Sequence, residues 1–160
     1  IDSINEWVYT DLNNGVYKCG FATQQAAYEE AYAALWAAMD RLETHLDGRT
    51  FLVGEQLTEA DIRLFVTLYR FDAAYVSLFK CNLRRVSDYP ELSAYIERLL
   101  SLAGVAGTVN LEHIKAGYYS VKALNPSGII PAGPSIPWAE HLLDPSSTRA
   151  HAASTRTTTH

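Results

Sequence analysis

Phenols and thiols are the groups in this chain with the widest chemical reach. Tyr17 lies in Val16-Tyr17-Lys18-Cys19 and Tyr118 in Gly117-Tyr118-Tyr119. A phenol hydroxyl both donates and accepts a hydrogen bond, and its ring packs on other aromatic surfaces. By residue type alone these are two of ten tyrosines, a population that ordinarily fills an aromatic core. Cys19 and Cys81 are the only thiols. A nearby cation such as Lys18 or Lys80 could lower a thiol's pKa and make it reactive, but a free cysteine commonly behaves as a small buried hydrophobe. Neither lies in an activating motif, so both are expected to be structural, and their spacing suits no metal. His113, in Leu111-Glu112-His113-Ile114, is of a type that titrates near neutral pH, yet a lone helical histidine usually serves packing. Lys80, Arg84 and Arg85 could draw an anion, although such loop charges mostly pair locally. Thr58 and Asp61, in Thr58-Glu59-Ala60-Asp61, read as a structural helix cap in which Asp replaces the usual Glu.

The elements that must position these groups read as helices. Tyr28, Ala31, Tyr32, Leu35, Met39, Leu42 and Leu46 recur at steps of three and four, which predicts one long helix from about Thr23, closed by Asp47-Gly48. A shorter helix is predicted over 1–13. Asn13-Asn14-Gly15 should stop it and leave 16–22 as a linker. Thr58 opens a further helix in which Ile62, Phe65 and Leu68 read as mostly buried. Residues 79–88 read as a polar break, and Tyr89-Pro90 starts a helix whose inward face is Leu92, Tyr95, Ile96, Leu99 and Leu100. A last helix over 110–119 presents Leu111, Ile114 and Tyr118 on one side. No segment alternates as a strand does, so the reading is all-α with five or more helices.

Composition narrows the classes of function. Apolar residues make up 48% of the 160 and charged residues 19%, so a folded core is expected. A formal charge of −5, from 13 Lys and Arg against 18 Asp and Glu, argues against a nucleic-acid partner. No apolar run approaches the ~20 residues of a membrane span. Two cysteines fit a reducing, cytoplasmic setting. The helical domain is expected over 1–124. A Pro-rich extended segment follows over 125–145, with five of the six prolines between Pro126 and Pro145. A tail over 146–160, without large apolar residues, is expected to be disordered. The chain begins at Ile1, as a piece of a longer protein would.

Several stretches together resemble one family. Residues Asn13 to Ala22 (NNGVYKCGFA), Leu57 to Leu64 (LTEADIRL), Arg70-Phe71-Asp72, Phe79-Lys80-Cys81-Asn82, Thr108-Val109-Asn110 and Asn125-Pro126-Ser127-Gly128-Ile129 are similar to the C-terminal domain of glutathionyl-hydroquinone reductases. These are the xi-class glutathione transferases, relatives of the omega class. The resemblance runs from about Ile1 to Pro134. It implies the helical bundle of a glutathione-transferase C-terminal domain. It also implies a missing N-terminal thioredoxin-like domain with a Cys-Pro-Trp-Ala catalytic motif, glutathione as co-substrate, no metal, and a homodimer at full length. Tyr17 and Tyr118 match tyrosines that line the family's hydroquinone pocket, so the resemblance gives them a substrate-binding role and leaves this chain without a catalytic residue. Pro137-Trp138-Ala139 repeats three letters of the thiol motif, but Ile136 stands where the cysteine should be. The isolated chain is therefore expected to be inactive. The alternative is a non-catalytic scaffold of the same fold, because fold alone does not fix function.

Overall fold

A computed structural model describes residues 2–138; the tail expected over 146–160, and the end of the Pro-rich segment, lie outside the described residues. The described residues contain helices and no strand. Helix α1 (Asp2–Trp7) passes through a π-helical stretch, Val8–Asn13, directly into α2 (Asn14–Gly20). The predicted stop at Asn13-Asn14-Gly15 and the linker over 16–22 are thus corrected. Ile4, Val8, Leu12 and Val16 are all buried, and residues spaced by four drift off one face of a 3.6-residue helix. The wider π turn brings them back into line, so burial overrides the local stop signal. Asn13 is held in the rod, its side-chain oxygen accepting from the Thr67 hydroxyl at 3.3 Å.

Helix α3 (Gln25–Leu46) is the predicted spine and buries Ala31, Leu35, Trp36, Met39, Leu42 and Leu46. Helix α4 (Glu59–Arg70) runs into a second π-helical stretch, Phe71–Tyr75, whose residues are all buried. Its outer face departs from the expectation: Ile62 is 54% and Val66 38% exposed. Residues 79–88 are not simply polar either, since Phe79, Cys81 and Val86 are buried. Buried Asp72 draws that loop inward by accepting the amides of Val86 at 2.6 Å and Ser87 at 3.1 Å. The loop's arginines face outward, Arg84 pairing across to Asp40 of α3 at 3.0 Å and Arg85 locally with Asp88 at 2.9 Å.

Helix α5 (Pro90–Leu100) begins with its first free amides on the Glu43 carboxylate of α3, at 2.8 Å from Glu91 and 2.9 Å from Leu92. A carboxylate at a helix N-terminus meets both the orphan donors and the favourable dipole end. Helix α6 (Leu111–Tyr119) starts on Asn110, whose side chain accepts the His113 amide at 3.1 Å. Its buried residues are Leu111, Lys115 and Tyr119; Ile114 and Tyr118, predicted on the Leu111 side, are only half-buried. The segment after α6 is looped or extended, and its end is anchored. Lys115 donates to the Pro131 carbonyl at 3.2 Å, and Ile136 and Trp138 are each 2% exposed. Trp138 of the repeated letters therefore serves packing, while Pro137 is exposed.

Candidate functional site

Three phenols from three elements meet at one end of the bundle. Tyr17 comes from α2, Tyr75 closes the second π-helical stretch and Tyr118 lies near the end of α6. The Tyr118 hydroxyl is 2.7 Å from that of Tyr17 and 2.7 Å from that of Tyr75. The two residues singled out from the sequence, 101 positions apart, are thus in direct contact. Both π-helical stretches contribute: one carries the first rod through to Tyr17, and the other places Tyr75 one turn past Arg70. Wide turns of this kind recur at functional sites.

Phe79 is the hub beneath the hydroxyls. Its ring centroid lies 5.4 Å from that of Tyr17, 5.1 Å from Tyr75 and 5.8 Å from Tyr118. Phe21 adds an edge-on contact at 5.6 Å and stacks parallel to Tyr17 at 6.5 Å. Such offset and edge-to-face pairs favour a fixed aromatic wall. Gly20 makes the arrangement possible, because a Cβ there would stand 2.4 Å from Phe79 Cγ.

The wall has a buried side and an open one. Tyr75 is 1% exposed, Tyr17 41% and Phe21 52%. Burial pushes the hydroxyls of Tyr75 and Tyr118 above the ordinary phenol range, so both stay protonated at neutral pH. A shallow hollow of about 480 Å³ is lined by Tyr17, Arg70, His113, Ile114 and Tyr118 among others. It shares Arg70, His113 and Ile114 with a larger apolar groove of about 600 Å³ between α4 and α6, where exposed Ile62 and Val66 lie. A planar ring bearing oxygen substituents fits such a surface, with rings to pack on and hydroxyls to bond.

The other candidates lie elsewhere. Asp61 is fully buried and accepts from the Leu52 amide at 3.0 Å, the Thr58 amide at 2.9 Å and the Tyr95 hydroxyl at 2.6 Å. Thr58 and Asp61 form the capping box at the start of α4. Cys19 and Cys81 are both buried; their mutual interaction, then burial, raises the Cys81 thiol, and the same interaction lowers that of Cys19 against the opposing effect of burial. His113 borders the hollow. Among the described residues no group of three or more His, Cys, Asp or Glu could hold a metal ion, and no helix is long and apolar enough to cross a membrane. Tyr75, Phe79 and Arg70 were not singled out from the sequence as site residues, although Arg70-Phe71-Asp72 and Phe79-Lys80-Cys81-Asn82 carried part of the resemblance.

Known proteins share this architecture. Residues 25–98 match the family "Glutathione S-transferase, C-terminal domain". The chain is 59% identical over 138 residues to the glutathionyl-hydroquinone reductase PcpF of Sphingobium chlorophenolicum, covering 86% of this chain and 44% of that protein. It is 50% identical over 135 residues to the glutathionyl-hydroquinone reductase YqjG of Escherichia coli, of which it covers 41%. The glutathione-bound structure of YqjG superposes with a TM-score of 0.83 at 48% identity, over 86% of this chain and 45% of that one. Glutathione transferase Xi 1 from Trametes versicolor gives 0.82 at 53% identity, over 86% and 48%. The chain thus spans less than half the length of these relatives.

Proposed function

This chain carries the C-terminal domain of a glutathione S-transferase, similar to those of the xi class, and from that premise we propose that it is the hydroquinone-binding half of a glutathione-dependent reductase. The substrate class is glutathionyl-hydroquinones. The observation that carries this reading is the contact between the Tyr17 and Tyr118 hydroxyls, 2.7 Å apart on an aromatic wall that borders an open hollow. Glutathione is the co-substrate, held mainly by a thioredoxin-like half that also supplies the Cys-Pro-Trp-Ala thiol. The complete protein is read as a homodimer.

In the reaction that this reading implies, a cysteine thiolate of the other half attacks the glutathionyl sulfur. The ring carbon–sulfur bond breaks, the ring carbon takes up a proton, and a mixed disulfide between enzyme and glutathione forms. A second glutathione thiolate resolves that disulfide and releases oxidised glutathione. This domain's share is positional: the Tyr17 and Tyr118 rings, backed by buried Phe79, border the hollow that holds the quinol plane, and hydroxyls fix its rotation.

Two measurements test the proposal. Titrating the 160-residue chain with hydroquinone should shift NMR signals of Tyr17, Tyr118 and Phe79 before any others. The same chain should show no glutathione-dependent turnover of a glutathionyl-hydroquinone above background, and turnover should appear once a thioredoxin-like half with its cysteine is joined to it. Signals that shift only elsewhere, or turnover by the chain alone that Cys19→Ser or Cys81→Ser abolishes, would overturn the reading.

A further inference from the structure

Proton bookkeeping along the phenol chain goes one step beyond the hydroquinone reading, on which it rests. Three hydroxyls share two short contacts, and each hydroxyl has one proton and two lone pairs. Tyr75 is 1% exposed, and its hydroxyl has Tyr118 as its hydrogen-bond partner. If Tyr75 accepted there, its own proton would be buried without an acceptor, which native structures avoid. Tyr75 therefore donates to Tyr118. Beside Tyr118 stands Arg70, whose Cζ lies 6.0 Å from the Tyr118 ring centroid and whose guanidinium carries donors only. With one lone pair taken by Tyr75 and no acceptor on the Arg70 side, Tyr118 donates to Tyr17, its other hydrogen-bond partner, and the Tyr17 proton is the one left over.

Tyr17 is 41% exposed and borders the hollow, so that proton is available to a ligand. Arg70 takes part in none of the ion pairs among the described residues, so its charge is not neutralised by a carboxylate. It lines both the hollow and the adjoining groove. A cation behind a row of aligned donors favours an electron-rich oxygen in front of it, and aligned hydrogen bonds strengthen one another.

We infer that Tyr75 and Arg70 are positioning residues that point the phenol chain outward, making the hollow selective for a ring oxygen that accepts, as a ring carbonyl or an ionised quinol does, over one that donates. Neither residue need touch the ligand. Tyr75 fixes the direction of donation by its buried proton. Arg70 offers the Tyr118 proton no acceptor and supplies the positive field.

Isosteric probes of opposite polarity test this at a single pH. At a mildly alkaline pH 4-nitrophenol is ionised and accepts, while 4-nitroaniline is neutral, has nearly the same shape and donates. Affinity for the 160-residue chain is read from the absorbance change of each probe. The phenolate should bind about tenfold more tightly than the aniline, as a charge-assisted hydrogen bond against a neutral one implies. Tyr75→Phe and Arg70→Met, each checked for an unchanged circular-dichroism spectrum, should cut that ratio to about threefold or less. Should Tyr75→Phe fail to fold, Arg70→Met, at a half-buried position, carries the test. Equal binding of the two probes to the native chain, or a ratio unchanged in a folded variant, overturns this inference and leaves the hydroquinone reading standing. If neither probe binds, that reading falls and this one with it.

Discussion

Two hydrogen-bonded networks in this bundle are built around a buried phenol, and they end differently. In one, Tyr95 donates to Asp61 at 2.6 Å, and the same carboxylate accepts from the amides of Leu52 and Thr58. Every group there has a partner, and the network is closed inside the core. In the other, Tyr75 leads through Tyr118 to Tyr17, where the chain of hydroxyls stops at the surface. A closed network fixes structure, because removing a member strands a buried partner. An open one leaves a group whose natural partner is a ligand. The same side chain thus closes a network at one end of the domain and leaves one open at the other, where the proposed function puts recognition, and the difference lies in whether the last lone pair or proton is satisfied.

The sharpest way to break that contrast is Asp61→Ala. It strands the Tyr95 hydroxyl and two amides, and buried hydrogen bonds to a charged group contribute about 1.5–3 kcal/mol each without adding fully. A loss of about 3 kcal/mol or more is expected in urea unfolding, with the hollow still binding hydroquinone in whatever fraction remains folded. A loss under about 1 kcal/mol, the scale of one ordinary helix cap, would show that the network is not closed as described.

Gly20→Ala ranks next and strikes the open network from behind. Its Cβ would meet three Phe79 ring atoms at 2.4, 2.7 and 2.8 Å. The ring must shift, at a cost of about 1–3 kcal/mol for overpacking. Hydroquinone binding should weaken out of proportion to stability, because Phe79 backs all three tyrosines. A matched pair of melting and binding measurements decides it.

Alkaline pH strikes the buried phenols of both networks, Tyr95 in one and Tyr75 and Tyr118 in the other. Burial, then the Asp61 carboxylate, raises the Tyr95 hydroxyl above the ordinary value of 10.0. The native state therefore holds a proton that the unfolded state gives up above about pH 10, so stability falls as pH rises past that point. Tyr95→Phe should flatten part of this fall and leave the part that Tyr75 and Tyr118 contribute. Identical slopes for the native chain and Tyr95→Phe would remove Tyr95 from the account.

The smallest effect on stability is expected for Tyr17→Phe itself, within about 0.5 kcal/mol, as for most surface substitutions. In the complete enzyme it should still slow turnover roughly two- to tenfold, the worth of one neutral hydrogen bond of about 0.5–1.5 kcal/mol. Thermal melting and initial rates on one preparation test both halves of that statement.

Much of this architecture was legible in the residues. The spine of α3, the Thr58–Asp61 cap and the Tyr89-Pro90 start of α5 follow from apolar spacing and capping chemistry, which act over a few positions and so are written locally. The first rod shows where local signals lose. Asn13-Asn14-Gly15 carries a stop, yet Leu12, Val16 and Cys19 are buried against the bundle, and packing carries the helix through. The exposed Ile62 was misread for the complementary reason: an apolar residue announces that it prefers cover, and not which surface provides it.

What the sequence determined by itself is the all-α class, the helix boundaries set by caps and prolines, and the short-range charges that pair along them. The convergence of Tyr17, Tyr75 and Tyr118, the Phe79 ring beneath them and the burial of Ile136 and Trp138 were decided only by tertiary structure. Spacing along the chain fixes which side chains share one helix face. It carries no information on how three elements far apart in sequence are rotated and stacked, and that rotation comes from packing the whole core at once.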